Sequence, residues 1–384
     1  MNPITIVDLF AGIGGFSEGL LESQDRGFRI LCAIDRDESA MRTWTSNRQE
    51  APYILGDLIP SSLPAIWNET AKVGVERGAL DILLASPPCQ LMSAAGKRLS
   101  RHESNMLFIS ALKALTRWRP RGFALENVPQ FFRLYDEAYI SYCRAYLHEK
   151  GYASEWGILD ASHFGVPQRR RRGFLVAVEK SLYHGGSLLP LATHDPSWVT
   201  DSPRLANISS LRPTPSVDDA IGDLPPLESG QGSEITTLMN PPRTEYQRAR
   251  RSSESFVSNH VAWNHSRDMV ARMQTVKEGE APQRRSHHPA RPKRYFRQAY
   301  ARLARDSLAG TITTNFHNPG SGRFTHYRDH RTLTVREAAR LQSFDDAYTF
   351  KGHMSQASRH VGNAVPPLLA RAVVDRLARH LEGS

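Results

Sequence analysis

Cysteine is scarce in this chain. Only Cys32, Cys89 and Cys143 occur, with neither the paired spacing of a disulfide framework nor that of a zinc site, which argues against a disulfide-stapled secreted scaffold and predicts a reducing, intracellular setting. The adjacent His287 and His288 lack partners at ligand spacing, so no metal centre is expected. Long apolar runs are missing as well. No stretch approaches the roughly 20 residues needed to cross a bilayer, and Met1–Phe10 contains Asp8 and no positively charged start, so neither membrane insertion nor secretion is expected. Internal repeats and long low-complexity segments are also lacking. Acids are in deficit, 39 Asp and Glu against 49 Lys and Arg, and the resulting formal charge of +10 favours phosphate-rich partners, nucleic acid first.

What is there is the composition of a folded chain, 40% apolar and 23% charged. Its 384 residues exceed the roughly 250 to 300 that one core supports, so two domains are expected. Up to Val178, short β-rich runs alternate with helical patterns, as in a parallel sheet covered by helices. Strands are predicted at Ile4–Phe10, Ile30–Ile34, Tyr53–Leu55, Asp81–Ala85, Gly122–Leu125 and Gly173–Val178. Crossover helices are predicted at Gly14–Ser23, Glu38–Asn47, Asn105–Trp118 and Arg133–Lys150. From Tyr183 to Arg328 the composition turns to Pro, Ser, His and Arg, with breakers such as Pro213, Pro215, Pro225 and Pro226, which predicts a loop-rich second domain. Helical patterns return at Thr334–Phe344 and Pro367–Leu381. The expected division is 1–182 with 345–384 for an α/β domain on a doubly wound sheet, and 183–344 for a smaller inserted one.

The first predicted strand runs into Asp8-Leu9-Phe10-Ala11-Gly12-Ile13-Gly14-Gly15, placing glycines where the backbone must turn tightly beneath a ligand; a plain tight turn would look alike. The next strand ends at Asp35, at the spacing where a carboxylate accepts hydrogen bonds from ribose hydroxyls, which suits an adenosine cofactor. Asp57 could accept from an adenine amino group or simply cap a turn. The fourth strand delivers Ser86-Pro87-Pro88-Cys89-Gln90 to the edge where open α/β sheets bind ligands. Two prolines stiffen the approach and polar or small residues follow, so Cys89 reads as an exposed, reactive thiol. Cys32 and Cys143 sit inside apolar runs and read as small inert hydrophobes. The fifth strand brings Glu126-Asn127-Val128-Pro129 to the same edge, setting a carboxyl group beside a nucleophile. In Gln168–Arg172, alternation along a strand begun by Arg172 would aim Arg170 and Arg172 together toward the cleft; a solvated basic patch is the plainer alternative. Gly362-Asn363-Ala364-Val365-Pro366-Pro367 makes a turn before the last helix, with Asn363 free to bond a ligand or its own backbone.

In this order, Phe10-x-Gly12-x-Gly14, Pro88-Cys89-Gln90, Glu126-Asn127-Val128, Gln168-x-Arg170-x-Arg172 and Gly362-Asn363-x-Val365-Pro366 closely resemble the DNA cytosine C5-methyltransferase family, and Arg331–Phe344 looks like its penultimate motif. The resemblance implies a Rossmann-like S-adenosylmethionine-dependent methyltransferase domain, with the unmatched middle as a target-recognition domain. It implies that Phe10, Gly12, Gly14, Asp35, Asp57, Pro87 and Asn363 hold S-adenosylmethionine, with Ile13, Arg36, Leu58 and Val365 beside them and Leu107 near the adenine. It implies that Cys89 attacks C6 of a flipped-out cytosine, that Glu126 contacts N3 and the amino group, and that Arg170 and Arg172 orient Glu126 and favour a thiolate. Double-stranded DNA is the implied partner. The implied setting is that of a monomeric bacterial or phage enzyme of the restriction-modification type, cytoplasmic and nucleoid-associated.

Two segments depart from the family pattern. Leu91-Met92-Ser93 stands where a small residue and phenylalanine usually follow Pro-Cys-Gln, and His102-Glu103-Ser104-Asn105 replaces a common Asp-x-Arg; in relatives this loop closes over flipped DNA. These departures raise two rival readings: a catalytically silent DNA-binding protein, and an enzyme that acts on a modified cytosine or transfers another group. Retention of Cys89, Glu126, Arg170 and Arg172 opposes the silent one. A methyltransferase acting on transfer RNA is a further rival, opposed by the large basic middle. There Arg284, Arg285, Arg291, Lys293, Arg294, Tyr295, Phe296 and Arg297 form a stretch able to grip phosphates.

Overall fold

Short apolar runs bounded by turn residues become the strands of one seven-stranded sheet. The computed structural model describes residues 2–21, 27–88, 101–133, 137–197, 211–251, 255–282 and 298–383, with 21 and 101–106 as backbone only. The chain divides into two units, Met1–Asp160 with Arg171–Leu191 and Val365–Ser384, and Ala161–Arg170 with Ala192–Ala364.

The first unit holds the sheet: β1 (Ile4–Leu9), β2 (Phe28–Asp35), β3 (Tyr53–Leu55), β4 (Ile82–Ala85), β5 (Gly122–Asn127), β6 (Tyr152–Asp160) and β7 (Arg171–Glu179), in the order β3-β2-β1-β4-β5-β7-β6. The first five strands run parallel, and β7 lies antiparallel to both β5 and β6. β4 and β5 are buried along their whole length, which is why β4 and the Gly122–Leu125 part of β5 read as unbroken apolar runs rather than as alternation. The helices are α1 (Gly15–Leu21), α2 (Glu38–Asn47), α3 (Leu63–Lys72), α4 (Arg101–Trp118), α5 (Pro129–Phe132), α6 (Ala138–Glu149) and a C-terminal helix, Pro367–Glu382, that packs on α1. Strand order reverses between β1 and β4, the topological switch point at whose carboxyl edge open sheets bind ligands. The expected α/β, doubly wound Rossmann-like sheet is therefore present.

Within this unit, β6, α3 and the one-turn α5 have no counterpart in the sequence-based prediction. β6 is an edge strand, half-buried beyond Tyr152 and polar at Ser154 and Glu155, so no apolar pattern marks it. α3 buries Leu63, Ile66 and Thr70, but Pro64 in its first turn, where a missing N–H is harmless, resembles a loop signal. The helix expected at Arg133–Lys150 is present as α6, which begins only at Ala138, and α5 ends at Phe132, before that range.

The second unit has shorter elements: strands β8 (His194–Asp195), β9 (Arg212–Pro213), β10 (Gly232–Thr237) and β11 (Phe256–Val261) in two pairs, and helices α7 (Val217–Ile221), α8 (Glu245–Arg250), α9 (Arg267–Gln274), α10 (Val335–Leu341) and α11 (Met354–Asn363). Part of its interior is ionic. Arg331 donates to both oxygens of Glu337 at 2.8 Å and to Asp329 at 2.7 Å, and Arg340 donates to Asp346 at 2.6 Å and to Asp223 at 3.2 Å. Burial acts to raise the Glu337 pKa, but Arg331 and His326 hold the carboxyl well below its usual range. Glu337 also closes a capping box with Thr334 at the start of α10. The conspicuous Arg331–Phe344 motif thus builds this unit's interior.

This division differs from the one drawn on composition, which broke after 182 and after 344. Residues up to Leu191 stay with the sheet, because Arg376 of the C-terminal helix donates to Ser187 O at 2.7 Å and Ser187 Oγ donates to Glu155 at 3.0 Å. Residues 345–364 stay with the second unit, where Asn259 exchanges two 2.9 Å bonds with the Phe350 backbone and Gln342 reaches Val361 O at 2.6 Å. Residues 161–170 join it as well, held by Gln168, which donates to Leu341 O at 3.1 Å and accepts from Ile312 N at 2.7 Å. Side-chain ties to distant backbone leave no trace in composition. Among the described residues, no helix is long and apolar enough to cross a membrane.

Candidate active site

β1 ends in a turn where Phe10, Gly12 and Gly14 all take left-handed φ, 57°, 53° and 83°. Glycine adopts this region freely, but at Phe10 it costs on the order of 1 kcal/mol, a strain that folds retain chiefly at ligand sites. Gly14 is required on spatial grounds too: a Cβ there would lie 2.5 Å from the Trp44 ring, which is fully buried with the Arg48 guanidinium 4.7 Å over it. At Gly12 the opposite holds, and such an atom would meet none of the described residues within 4 Å. Among the described residues that face of the turn is open.

Asp35 stands at the end of β2 and locks the turn, its Oδ2 accepting from Gly12 N at 2.9 Å and its Oδ1 from Asp37 N at 3.0 Å. Burial raises its pKa against the lowering effect of these backbone bonds. Arg36 lies 3.6 Å from Asp57 in a largely exposed ion pair, Ile13, Leu58 and Pro87 are buried, and Leu107 is half-buried on α4. Val365 is buried in the first unit, whereas Asn363 is the exposed last residue of α11 in the second. Beneath the turn, Asp8 is fully buried and accepts from Ser17 Oγ at 2.7 Å; burial pushes its pKa up to about 7 despite Ser17 and Arg48. An acid inside an otherwise apolar strand was the available signal for Asp8.

Glu126, near the carboxyl end of β5, lies 2.9 Å from Arg172 Nε on the neighbouring β7, with 9% and 14% of the two side chains exposed. Burial lowers the Arg172 pKa and the Glu126 carboxylate opposes that shift. Arg170 is placed differently from the alternation argument. The strand begins only at Arg171, and Arg170, fully buried in the second unit, donates to the carbonyls of Ile312, Gly362 and Ala364 at 2.8, 2.8 and 2.9 Å. Gly362 itself is pressed against the Thr313–Thr314 backbone, 2.5 Å from where a Cβ would sit, which explains the glycine of that turn.

Cys89 lies outside the described residues, as do Gln90, Leu91–Ser93 and the stretch 283–297 with its His287, His288 and arginines; for His102–Asn105 only the α4 backbone is described. The other two thiols are informative. Burial pushes both Cys32 and Cys143 up to about 12, so neither supplies a thiolate near neutral pH. One sheet edge of the first unit therefore carries the open glycine turn after β1, Asp35 at the end of β2, Pro87-Pro88 after β4, and the Glu126–Arg172 pair from β5 and β7. Such an edge can hold a nucleoside-like ligand beside a fixed, charge-paired carboxyl group.

The family model for C-5 cytosine-specific DNA methylases matches residues 4–379. The type II methyltransferase M.DdeI of Desulfomicrobium norvegicum is 29% identical across 99% of this chain and 89% of its own length. M.AgeI of Thalassovita gelatinovora, also a type II methyltransferase, is 29% identical across 97% of this chain and 98% of its own. A solved structure described as a candidate DNA modification methyltransferase encoded within an E. coli prophage superposes with a TM-score of 0.71 at 21% identity, covering 99% of each chain, a likeness of fold.

Proposed function

Because the chain belongs to the C-5 cytosine-specific DNA methylase family, we propose that it transfers a methyl group from S-adenosylmethionine to C5 of a cytosine flipped out of duplex DNA, with Cys89 as nucleophile. The observation that supports this most is the Glu126–Arg172 ion pair at the same sheet edge as the open glycine turn. The residues present fit the cofactor. Gly12 borders space that is empty among the described residues, where a side chain would intrude, and an acid, Asp35, stands beside it. Phe10, Gly12, Ile13, Gly14, Asp35, Arg36, Asp57, Leu58, Pro87 and Leu107 would hold it. When bound, S-adenosylmethionine supplies an electrophilic methyl group.

Cytosine C5 is a poor nucleophile until something adds at C6. The Cys89 thiolate would form the S–C6 bond and shift electron density onto C5, readying it to accept a methyl group with S-adenosylhomocysteine as the leaving group; loss of the C5 proton to water and expulsion of the thiolate would then restore the ring. Glu126 holds N3 and the exocyclic amino group while charge builds on the ring, and Arg172 fixes the angle of that carboxyl group through the 2.9 Å pair. A cytosine within the duplex is out of reach, so flipping costs a few kcal/mol. Base reading is assigned to the second unit.

The test is incubation of the purified protein with labelled S-adenosylmethionine and either mixed-sequence duplex DNA or RNA, alongside Cys89→Ser. Label recovered as 5-methylcytosine in DNA, and absent from the variant, is the expected result. Label in RNA alone, or none in either, would overturn the assignment.

A further inference from the structure

We infer that Asn127 is a positioning residue for the nucleophile, holding the Pro87-Pro88 segment that leads into Cys89; this rests on the reading of Cys89 given above. The β4–β5 ladder ends at the pair Ala85–Leu125. Ser86 still donates its N–H to Leu9 O at 3.1 Å on the β1 side, but Pro87 and Pro88 have no N–H with which to continue any ladder. Only their carbonyls are available, and fixing them takes a donor from a neighbour. Asn127, the last residue of β5 and 4% exposed, supplies one: its Nδ2 donates to Pro87 O at 3.0 Å. Its Oδ1 accepts from Val128 N at 2.8 Å, so the amide cannot swing away without losing both bonds. Adjacent strand residues point to opposite sides. One strand end thus sets Glu126 against Arg172 and, one residue on, anchors the approach to Cys89.

Asparagine is the residue type this geometry needs, because the side chain must donate to one backbone group and accept from another. Aspartate could accept from Val128 N but would repel Pro87 O unless protonated. Asn127→Ala is expected to lower kcat for methyl transfer about tenfold to hundredfold, the scale of a nucleophile displaced by a fraction of an ångström to an ångström, with KM for S-adenosylmethionine changed less than about twofold. Asn127→Asp is expected to be as slow at pH 8, with its activity relative to wild type climbing as the pH falls and a protonated carboxyl donates to Pro87 O. An asparagine whose bond to Pro87 O did not matter would give no such acid rescue. A flat Asn127→Asp to wild-type ratio across pH, or an unchanged kcat in Asn127→Ala, overturns the inference. A separate readout is the rate at which a mild alkylating reagent modifies Cys89, resolved by peptide mapping because Cys32 and Cys143 are buried. The rate is expected to differ several-fold between wild type and Asn127→Asp at pH 8, and equal rates overturn the inference. A wild type that methylates nothing would sink the functional reading, while the alkylation comparison would still decide this one.

Discussion

Gly12 and Gly14 share a left-handed backbone but differ in what surrounds them, so alanine at each separates folding from binding. At Gly14 the substitution meets two penalties: about 1 kcal/mol for the left-handed φ and about 1 to 3 kcal/mol for forcing a methyl against Trp44, which cannot recede from under Arg48. Gly14→Ala should therefore lose about 2 to 4 kcal/mol of folding stability. At Gly12 only the backbone penalty applies, because a methyl there touches none of the described residues within 4 Å. That methyl occupies the space proposed for S-adenosylmethionine. If displacing the ligand costs about 1 to 3 kcal/mol, as overpacking does elsewhere, the Kd should rise roughly fivefold to more than a hundredfold. Equilibrium urea denaturation gives the first quantity and titration calorimetry the second. The reasoning is refuted if Gly12→Ala binds S-adenosylmethionine like wild type while losing as much stability as Gly14→Ala.

Three further outcomes follow from the charges. Glu126→Gln strands the nearly buried Arg172 guanidinium, so stability should fall by about 3 to 5 kcal/mol and methyl transfer by roughly a hundredfold or more; wild-type turnover in this variant would remove Glu126 from the mechanism. Asp8 has its folded-state pKa raised from 3.8 to about 7, so the stability that depends on its proton is present below about pH 4 and lost as the pH rises through 7, at most on the order of 4 kcal/mol. Asp8→Asn, which can still accept from Ser17, should match wild type in urea at pH 4 and exceed it at pH 8, whereas parallel pH profiles would refute the assignment of that proton. Arg340→Leu leaves Asp223 and Asp346 facing each other's vacated partner, and a loss of about 3 to 5 kcal/mol by denaturation is expected; a loss below about 1 kcal/mol would mean that the network adds little.

The parallel strands were legible because burial on both faces turns them into apolar runs, and the punctuation after each run falls at one sheet edge: glycines after β1, an acid ending β2, prolines after β4, a carboxyl group near the end of β5. Much of what was illegible shares one physical cause. Arg170, Gln168, Asn259 and Asn127 all bond distant backbone groups, and a backbone carbonyl has no residue signature by which a sequence could reveal it. The β6 edge strand escaped notice for the complementary reason, having too little buried surface to impose a pattern.

That difference changes how the motifs weigh against the silent DNA-binding alternative. Arg170 holds the carbonyls of Ile312, Gly362 and Ala364, and Glu337 holds Arg331, so a protein of this fold that had lost all chemistry would still need both to fold. Their retention does not discriminate. Asn127 occupies a middle position, since its bond to Pro87 matters in proportion to what the following cysteine does. Glu126 and Arg172 are the informative pair: a buried ion pair is often no better for stability than apolar replacements, so keeping one at the sheet edge proposed to bind ligand is hard to explain unless the carboxyl group is used. Methyl transfer by an Arg172→Met, Glu126→Leu double variant puts this to the test. A protein as stable as wild type but inactive would show the pair is there for chemistry, and full activity would show that methyl transfer does not need these two residues.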